Sequence, residues 1–293
     1  MIDLHCHILY GLDDGPGTIE ESVQMCRMGY ADGVRTVVAT PHTLNESFQN
    51  DRRTILSKVQ ELKEALKQFG VQSSEFGVNA ETPKPYDQMS ERNRTNQIND
   101  TNQIDQKNQK NQIDSMTGFR ILPGSDVHFC TELLSRMDQG WVTTVGDGRR
   151  FLIIELPSHT MPPRGEDLLF QLMARGIVPI ISHPERNLWI MQRPERYYEM
   201  VRTGCLGQVT VMSLTGGFGP KIRQFAQKLL KKRLIHIIAS DAHGINGRSP
   251  GLTLAIKEAE RIIGKEVAQK MVTEYPRAIL EGKKPKIEEP LSP

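Results

Sequence analysis

The sequence is short of the features that mark several classes of protein. Its four cysteines, Cys6, Cys26, Cys130 and Cys205, form no CxxC pair, and a chain of 293 residues needs no disulfide staples to hold a core. They read as reduced, partly buried thiols. Charge of one sign is lacking too: 37 Lys and Arg stand against 35 Asp and Glu, a net charge of +2. With aromatic residues at only 6%, neither a broad basic surface nor a base-stacking groove for nucleic acid is indicated. No apolar run approaches the ~20 residues that span a bilayer. Met1-Ile2-Asp3-Leu4-His5 is not a basic segment followed by an apolar one, so no secretory signal is expected and the expected compartment is the cytoplasm.

Large apolar residues are also missing from one stretch. From about 79 to 115 the chain is rich in Asn, Gln, Asp and Lys, and Asn-Gln-Ile recurs at Asn96, Asn102 and Asn111. Such a segment buries too little apolar surface to offset its ordering entropy. It reads as a disordered insertion within one domain spanning 1–293.

Elsewhere short apolar runs alternate with amphipathic stretches. The runs are Ile2–Leu4, Val34–Ala39, Phe119–Leu122, Phe151–Leu156, Ile177–Ile181, Leu206–Val211 and Leu234–Ala239. Their Val and Ile content and their length predict buried parallel strands. Helical patterns lie at Ile19–Ala31, Arg52–Gln68, Gly165–Arg175, Pro194–Thr203, Pro220–Lys232 and Leu252–Ile263. Repeated strand–helix alternation implies an α/β fold with a parallel sheet, and seven such units suit a β/α barrel better than an open sheet.

The polar residues are not scattered over this frame. His5 and His7 end the first run, His42 follows the second and Asp126 the third. Glu155 sits in the fourth, His183 ends the fifth, and Asp241 and His243 follow the seventh. Barrel enzymes build their sites at this end of the strands. Residues i and i+2 of a strand share a face, so His5-Cys6-His7 and Asp241-Ala242-His243 each offer a pair of ligands, with Cys6 facing away. In Leu12-Asp13-Asp14-Gly15-Pro16, Asp13 reads as a turn residue and Asp14 as a further ligand. A carboxylate at Glu155 inside an apolar run is costly unless a cation neutralises it. Five histidines and four carboxylates exceed the needs of one ion and suit two or three. Nitrogen and oxygen donors without thiolate favour manganese, zinc or iron. Clustered divalent ions are suited to hydrolysis, because they acidify bound water and neutralise phosphoryl oxygens. Arg186 and Arg248, on loops after His183 and His243, offer guanidinium forks for a phosphate. His236, within the last run, reads as a core histidine, and His128 and His159 as weak candidates for a proton donor. Gly216-Gly217-Phe218-Gly219 reads as a loop beside the pocket.

With these residues in hand, the chain resembles the PHP (polymerase and histidinol phosphatase) superfamily. Within it, the likeness is to the bacterial capsular and exopolysaccharide protein-tyrosine phosphatases. The motifs are His5-Cys6-His7-Ile8, Asp13-Asp14-Gly15-Pro16, His42, Glu155, His183-Pro184-Glu185-Arg186, Ser213-Leu214-Thr215-Gly216, and Ser240-Asp241-Ala242-His243 with Arg248. They run from Met1 to about Pro276, interrupted by the polar insertion. The resemblance implies a distorted seven-stranded, TIM-like (β/α)7 barrel with a trinuclear, manganese-supported centre. It implies hydrolysis of phosphotyrosine on the tail of a bacterial tyrosine autokinase that governs capsule and exopolysaccharide export. By position, His5, His7, Asp14, His42, Asp126, Glu155, His183, Asp241 and His243 match the family's metal ligands, and Arg186 and Arg248 its phosphate-binding arginines. The family usually carries Glu where this chain has Asp126, whose reach is one methylene shorter. A histidinol phosphatase would share this centre, and a metal-binding regulatory module would share its ligands without turnover.

Overall fold

The computed structural model describes residues 1–68, 116 and 118–293. The polar stretch at about 79–115 lies outside the described residues. The apolar runs form short strands that pair only in parallel: β1 (Ile2–Cys6), β2 (Thr36–Ala39), β3 (His42–Thr43), β4 (Arg120–Pro123), β5 (Asp126–His128), β6 (Phe151–Glu155), β7 (Val178–Ser182), β8 (Leu206–Thr210) and β9 (Ile237–Ala239). Their order is β1-β2-β4 in one sheet and β3-β5-β6-β7-β8-β9 in the other.

The second and third expected runs differ from the sequence reading in one respect. Each continues past a break into a second short strand, which belongs to the other sheet. Thr40-Pro41 separates β2 from β3, and proline has no N–H to extend the ladder. Gly124-Ser125 separates β4 from β5. A Cβ on Gly124 would lie 2.6 Å from Val38 Cγ1, so the backbone approaches the neighbouring strand too closely for any side chain. These breaks step the chain between sheets and start β3 and β5 with His42 and Asp126, which stand opposite each other in register.

Both faces of the strands are buried, as their unbroken apolar runs require. Leu4, Val38, Phe151, Ile153, Ile180, Leu206 and Ile237 form one cluster, while Leu152, Ile154, Ile181, Val209 and Ile238 pack in the larger one with the helices. The helix Arg52–Gln68 buries Ile55, Val59, Leu62 and Leu66, a stripe of helical period. Thr18 caps the helix Ile19–Ala31 by accepting from the Glu21 amide. Among the described residues no helix is long and apolar enough to cross a membrane.

The first strand also meets the segment after the last. Cys6 and Ala242 form a parallel bridge, flanked by bonds from the Asp241 amide to the His5 carbonyl (2.8 Å) and from the His7 amide to the Ala242 carbonyl (2.9 Å). Buried Asp3 adds to the seam by accepting from the Ser240 amide at 3.0 Å. Burial foremost pushes its carboxyl up to about 6.

Candidate metal centre

The seam sets two motifs side by side. Cys6 and Ala242, the middle residues of His5-Cys6-His7 and Asp241-Ala242-His243, face each other across it and are fully buried. Their flanking residues therefore converge. His5 Nε2 lies 3.4 Å and His7 Nε2 3.5 Å from Asp241 Oδ1, and the His7 and His243 rings stack at 3.8 Å.

The remaining ligand candidates close around this pair. Asp126 Oδ2 lies 3.6 Å from His5 Nε2 and 3.5 Å from His42 Nδ1. Glu155, the last residue of β6, lies 3.6 Å from His42 Nδ1 through one oxygen and 3.5 Å from His183 Nε2 through the other. Asp14 lies 3.5 Å from His42 Nε2 and 3.4 Å from His243 Nε2. All nine candidate ligands thus belong to one network, in which His7, Asp14, His42 and His243, then His5, His7 and Asp126, then His42, Asp126 and Glu155 form groups compact enough to hold an ion.

The spacing fits ions better than hydrogen bonds. Donors about 2.0–2.2 Å from a shared cation stand roughly 3.0–3.5 Å apart around it. Direct hydrogen bonds would be shorter. Asp126 Oδ2 and His42 Nδ1 are buried yet have no hydrogen-bond partner among the described residues. Buried polar atoms without partners are rare, and here they face one another across the space a cation would fill.

The neighbours of the imidazoles aim them. His7 Nδ1 donates to Asp13 Oδ2 (2.6 Å), His5 Nδ1 to Gln208 Oε1 (2.9 Å), and His243 Nδ1 to the Asp241 carbonyl (2.9 Å). Each bond turns Nε2 inward, where the Nε2 atoms of His5 and His7 lie 3.0 Å apart, the arrangement typical of metal-ligating histidine. Asp13 is therefore more than the turn residue its sequence setting suggests. Its other oxygen accepts from the Gly15 amide (3.0 Å), and Oδ2 also takes the His42 amide (2.9 Å). Gly15 must be glycine, because a Cβ there would stand 2.6 Å from the His7 carbonyl. Gln208 carried one sequence clue, an amide inside the apolar run Leu206–Val211.

Electrostatics agree with this geometry. Burial foremost pushes His5 below its ordinary value, His7 well below and His183 to about 3, so these rings stay neutral, the form a ligand needs. Burial, then the charges of Glu155 and Asp241, pushes Asp126 well up. Carboxylates facing each other in a buried site require a cation to stay ionised together. For Asp241, burial opposes the charge, but the basic groups around it, the permanent charge of Arg248 among them, outweigh it and hold the carboxyl below the usual range. His183 and Asp241 both adopt left-handed backbone, φ 32° and 52°. Side chains pay strain for that conformation, and such residues gather at functional sites.

Arg186 and Arg248 stand at the rim. Both reach Oδ2 of Asp241, Arg186 Nη1 at 2.9 Å and Arg248 Nη2 at 2.6 Å. The His243 amide donates to the Arg248 carbonyl at 2.9 Å, folding that loop back over the centre. Arg186 also packs over the Phe218 ring at 4.6 Å, so the glycine-rich loop forms one wall. Each arginine is a little over one quarter exposed, which leaves donors facing outward. His128 lies 3.9 Å from Glu155 Oε2, with a buried, unpartnered Nδ1, whereas His159 is exposed. His236 lies at the other end of β9, buried, with Nδ1 accepting from the Gly207 amide at 3.0 Å.

Comparisons with known proteins agree with this picture. The chain is 28% identical over 280 residues to the tyrosine-protein phosphatase YwqE of Bacillus subtilis, covering 96% of this chain and 91% of that one. It is 26% identical over 287 residues to the tyrosine-protein phosphatase CpsB of Streptococcus agalactiae, covering 96% and 99%. Among solved structures, crystal structures of YwqE from Bacillus subtilis and CpsB from Streptococcus pneumoniae, described as unique metal-dependent tyrosine phosphatases, match with a TM-score of 0.79 and 27% identity over 100% of this chain and 99% of that chain. The family model for capsular polysaccharide synthesis, CpsB/CapC, matches residues 1–80 and 77–281, and the chain belongs to that family.

Proposed function

We propose that this protein is a metal-dependent protein-tyrosine phosphatase of capsule or exopolysaccharide synthesis. One observation carries the reading: nine nitrogen and oxygen donors, seven of them in groups compact enough to hold an ion, converge under two arginines that share one of the carboxylates. His5, His7, Asp14, His42, Asp126, Glu155, His183, Asp241 and His243 hold two or three divalent ions, manganese by preference. Bound there, the ions supply Lewis-acid charge and an activated water. Arg186 and Arg248 bind the non-bridging oxygens of the phosphoryl group and stabilise the charge that builds on them during transfer. Asp241 holds both guanidinium groups in place through one oxygen, and Asp13 and Gln208 keep His7 and His5 in the ligating tautomer.

A cysteine nucleophile does not fit this site. Cys6 packs in the larger hydrophobic cluster, and burial pushes its thiol well above the ordinary range. The phenolate of tyrosine is a good leaving group, with a conjugate-acid pKa near ~10, so a proton donor assists without being decisive. We further propose one domain over 1–293, built as a distorted seven-stranded barrel in which β2–β3 and β4–β5 each count as one bent strand. The substrate is the phosphotyrosine tail of a tyrosine kinase in the cytoplasm.

Hydrolysis of a phosphotyrosine peptide and of histidinol phosphate, with and without added manganese, tests the reading. Chelator-sensitive release from the peptide alone is expected. Preference for histidinol phosphate would replace the substrate assignment, and no turnover of either by metal-loaded protein would overturn the enzyme.

A further inference from the structure

At the ends of the strands remote from the metal centre lies a cavity of about 510 Å³. Arg35, Thr36, Arg120, Thr273, Arg277 and Glu281 contribute to its lining. The first residues of three strands meet there, since Ile2 pairs with Thr36 and Thr36 with Arg120. Arg277 comes from the helix Glu274–Leu280, which packs on β1. Three arginines from separate parts of the chain therefore line one space.

Among the described residues none of the three has a carboxylate partner, unlike Arg52 with Asp147 or Arg175 with Asp138. Arg35 instead donates to the carbonyls of Tyr30 and Val34, and its guanidinium lies over the Tyr30 ring. Neither Arg120 nor Arg277 has a side-chain hydrogen bond or ion pair among the described residues. The one acid in the lining, Glu281, is held by Lys283 at 2.8 Å. Three like charges around one space repel each other, and the single carboxylate of Glu281, shared between Lys283 and the charge of Arg277, offsets them only in part.

We infer that this cavity binds a di- or triphosphate chain, at a site separate from the metal centre and independent of the phosphatase reading. Guanidinium forks match phosphate oxygens bidentately and remain charged at any relevant pH. Three such groups complement two or three negative charges, and the space is within the usual range for small-molecule sites. Free polyphosphate and the phosphates of a nucleotide share this chemistry.

The test is calorimetric titration of the full, metal-loaded chain with inorganic tripolyphosphate and, separately, with ADP. Arg120→Ala, Arg277→Ala and the Arg186→Ala/Arg248→Ala double variant are run beside the unaltered protein. Metal chelation contributes equally to the unaltered protein and the two single variants and cancels in their differences. Saturable tripolyphosphate binding is expected, weakened about tenfold or more by either Arg120→Ala or Arg277→Ala, as loss of a charge-assisted bond implies. It should weaken steeply with salt and persist in the double variant. Because Arg120 and Arg277 are exposed, their variants should melt with the unaltered protein and hydrolyse phosphotyrosine peptide at its rate. Comparable or tighter binding of ADP identifies a nucleotide as the occupant, and weaker binding identifies the phosphate chain alone. The inference is overturned if the two single variants bind tripolyphosphate normally, if only the double variant loses it, or if no binding occurs at millimolar concentration.

Discussion

Arg186 and Arg248 meet the same oxygen of Asp241, while the other oxygen of that carboxylate faces His5 and His7. Asp241 thereby joins the candidate ligand cluster to the two arginines proposed to bind phosphate. The two arginines bond only the oxygen of Asp241 that faces away from the histidines, so either can be removed with Oδ1 left in place. Arg186→Ala and Arg248→Ala are each expected to lower kcat by about 10²–10³-fold, the loss typical of one transition-state donor. Metal content, measured by elemental analysis, should stay at the level of the unaltered protein. Asp241→Asn should lose metal and activity together. An arginine variant that lost its metal would show that the rim and the cluster are not separable in this way.

Asp13 tests the layer behind the ligands. Its carboxylate holds the His7 ring and the His42 amide at once. Asp13→Ala should weaken metal binding by about 10–100-fold, the usual effect of removing such a support. Titration of metal into chelator-treated protein reads this directly, and an unchanged affinity would assign Asp13 to the turn alone.

Cys6 is the residue a thiol-based mechanism would require. It is fully buried and packs in the larger hydrophobic cluster. Cys6→Ala should keep full activity and metal content, with a stability loss of about 1 kcal/mol, ordinary for a core substitution. Loss of turnover with metal retained would return the thiol to the chemistry.

His236 predicts an acid sensitivity distinct from that of the centre. Burial foremost, then the charge of Lys284, lowers its pKa from 6.5 to about 4. The unfolded chain therefore binds the proton more readily than the folded one between these values. Its contribution to stability is complete above pH 6.5 and is lost as pH falls towards 4, with a slope of at most ~1.4 kcal/mol per pH unit. His236→Asn keeps an acceptor for the Gly207 amide but does not titrate. Urea unfolding from pH 4.5 to 7.5, with chelator present throughout, should give a shallower pH dependence for the variant. Parallel curves would remove His236 from the account.

What the sequence made legible were the features set by local periodicity. The pairs His5/His7 and Asp241/His243 follow from strand geometry, and the helix Arg52–Gln68 follows from its apolar spacing. Three features were not legible, each because a distant part of the chain decides it. Asp13 looks like a turn residue because its Gly15 bond is local, whereas its bond to His7 depends on how the loop folds back. Gln208 gains its role only from His5, 203 residues away. The breaks at Pro41 and Gly124 have visible residues, but their consequence, a step from one sheet to the other, depends on the close approach of Val38.

The bridge between Cys6 and Ala242 has a consequence for the order of events in the life of the chain. Asp3 and Ser240, which pin this seam, are 237 residues apart. A contact of that separation forms late, because the entropy of closing so long a loop must be met before the contact rewards it. During synthesis, His5 and His7 leave the ribosome first and wait for Asp241 and His243 at the other end. With the proposed ligand set, metal capture would thus be a terminal step of maturation, and a chain cut short before Asp241 would lack two of the proposed ligands.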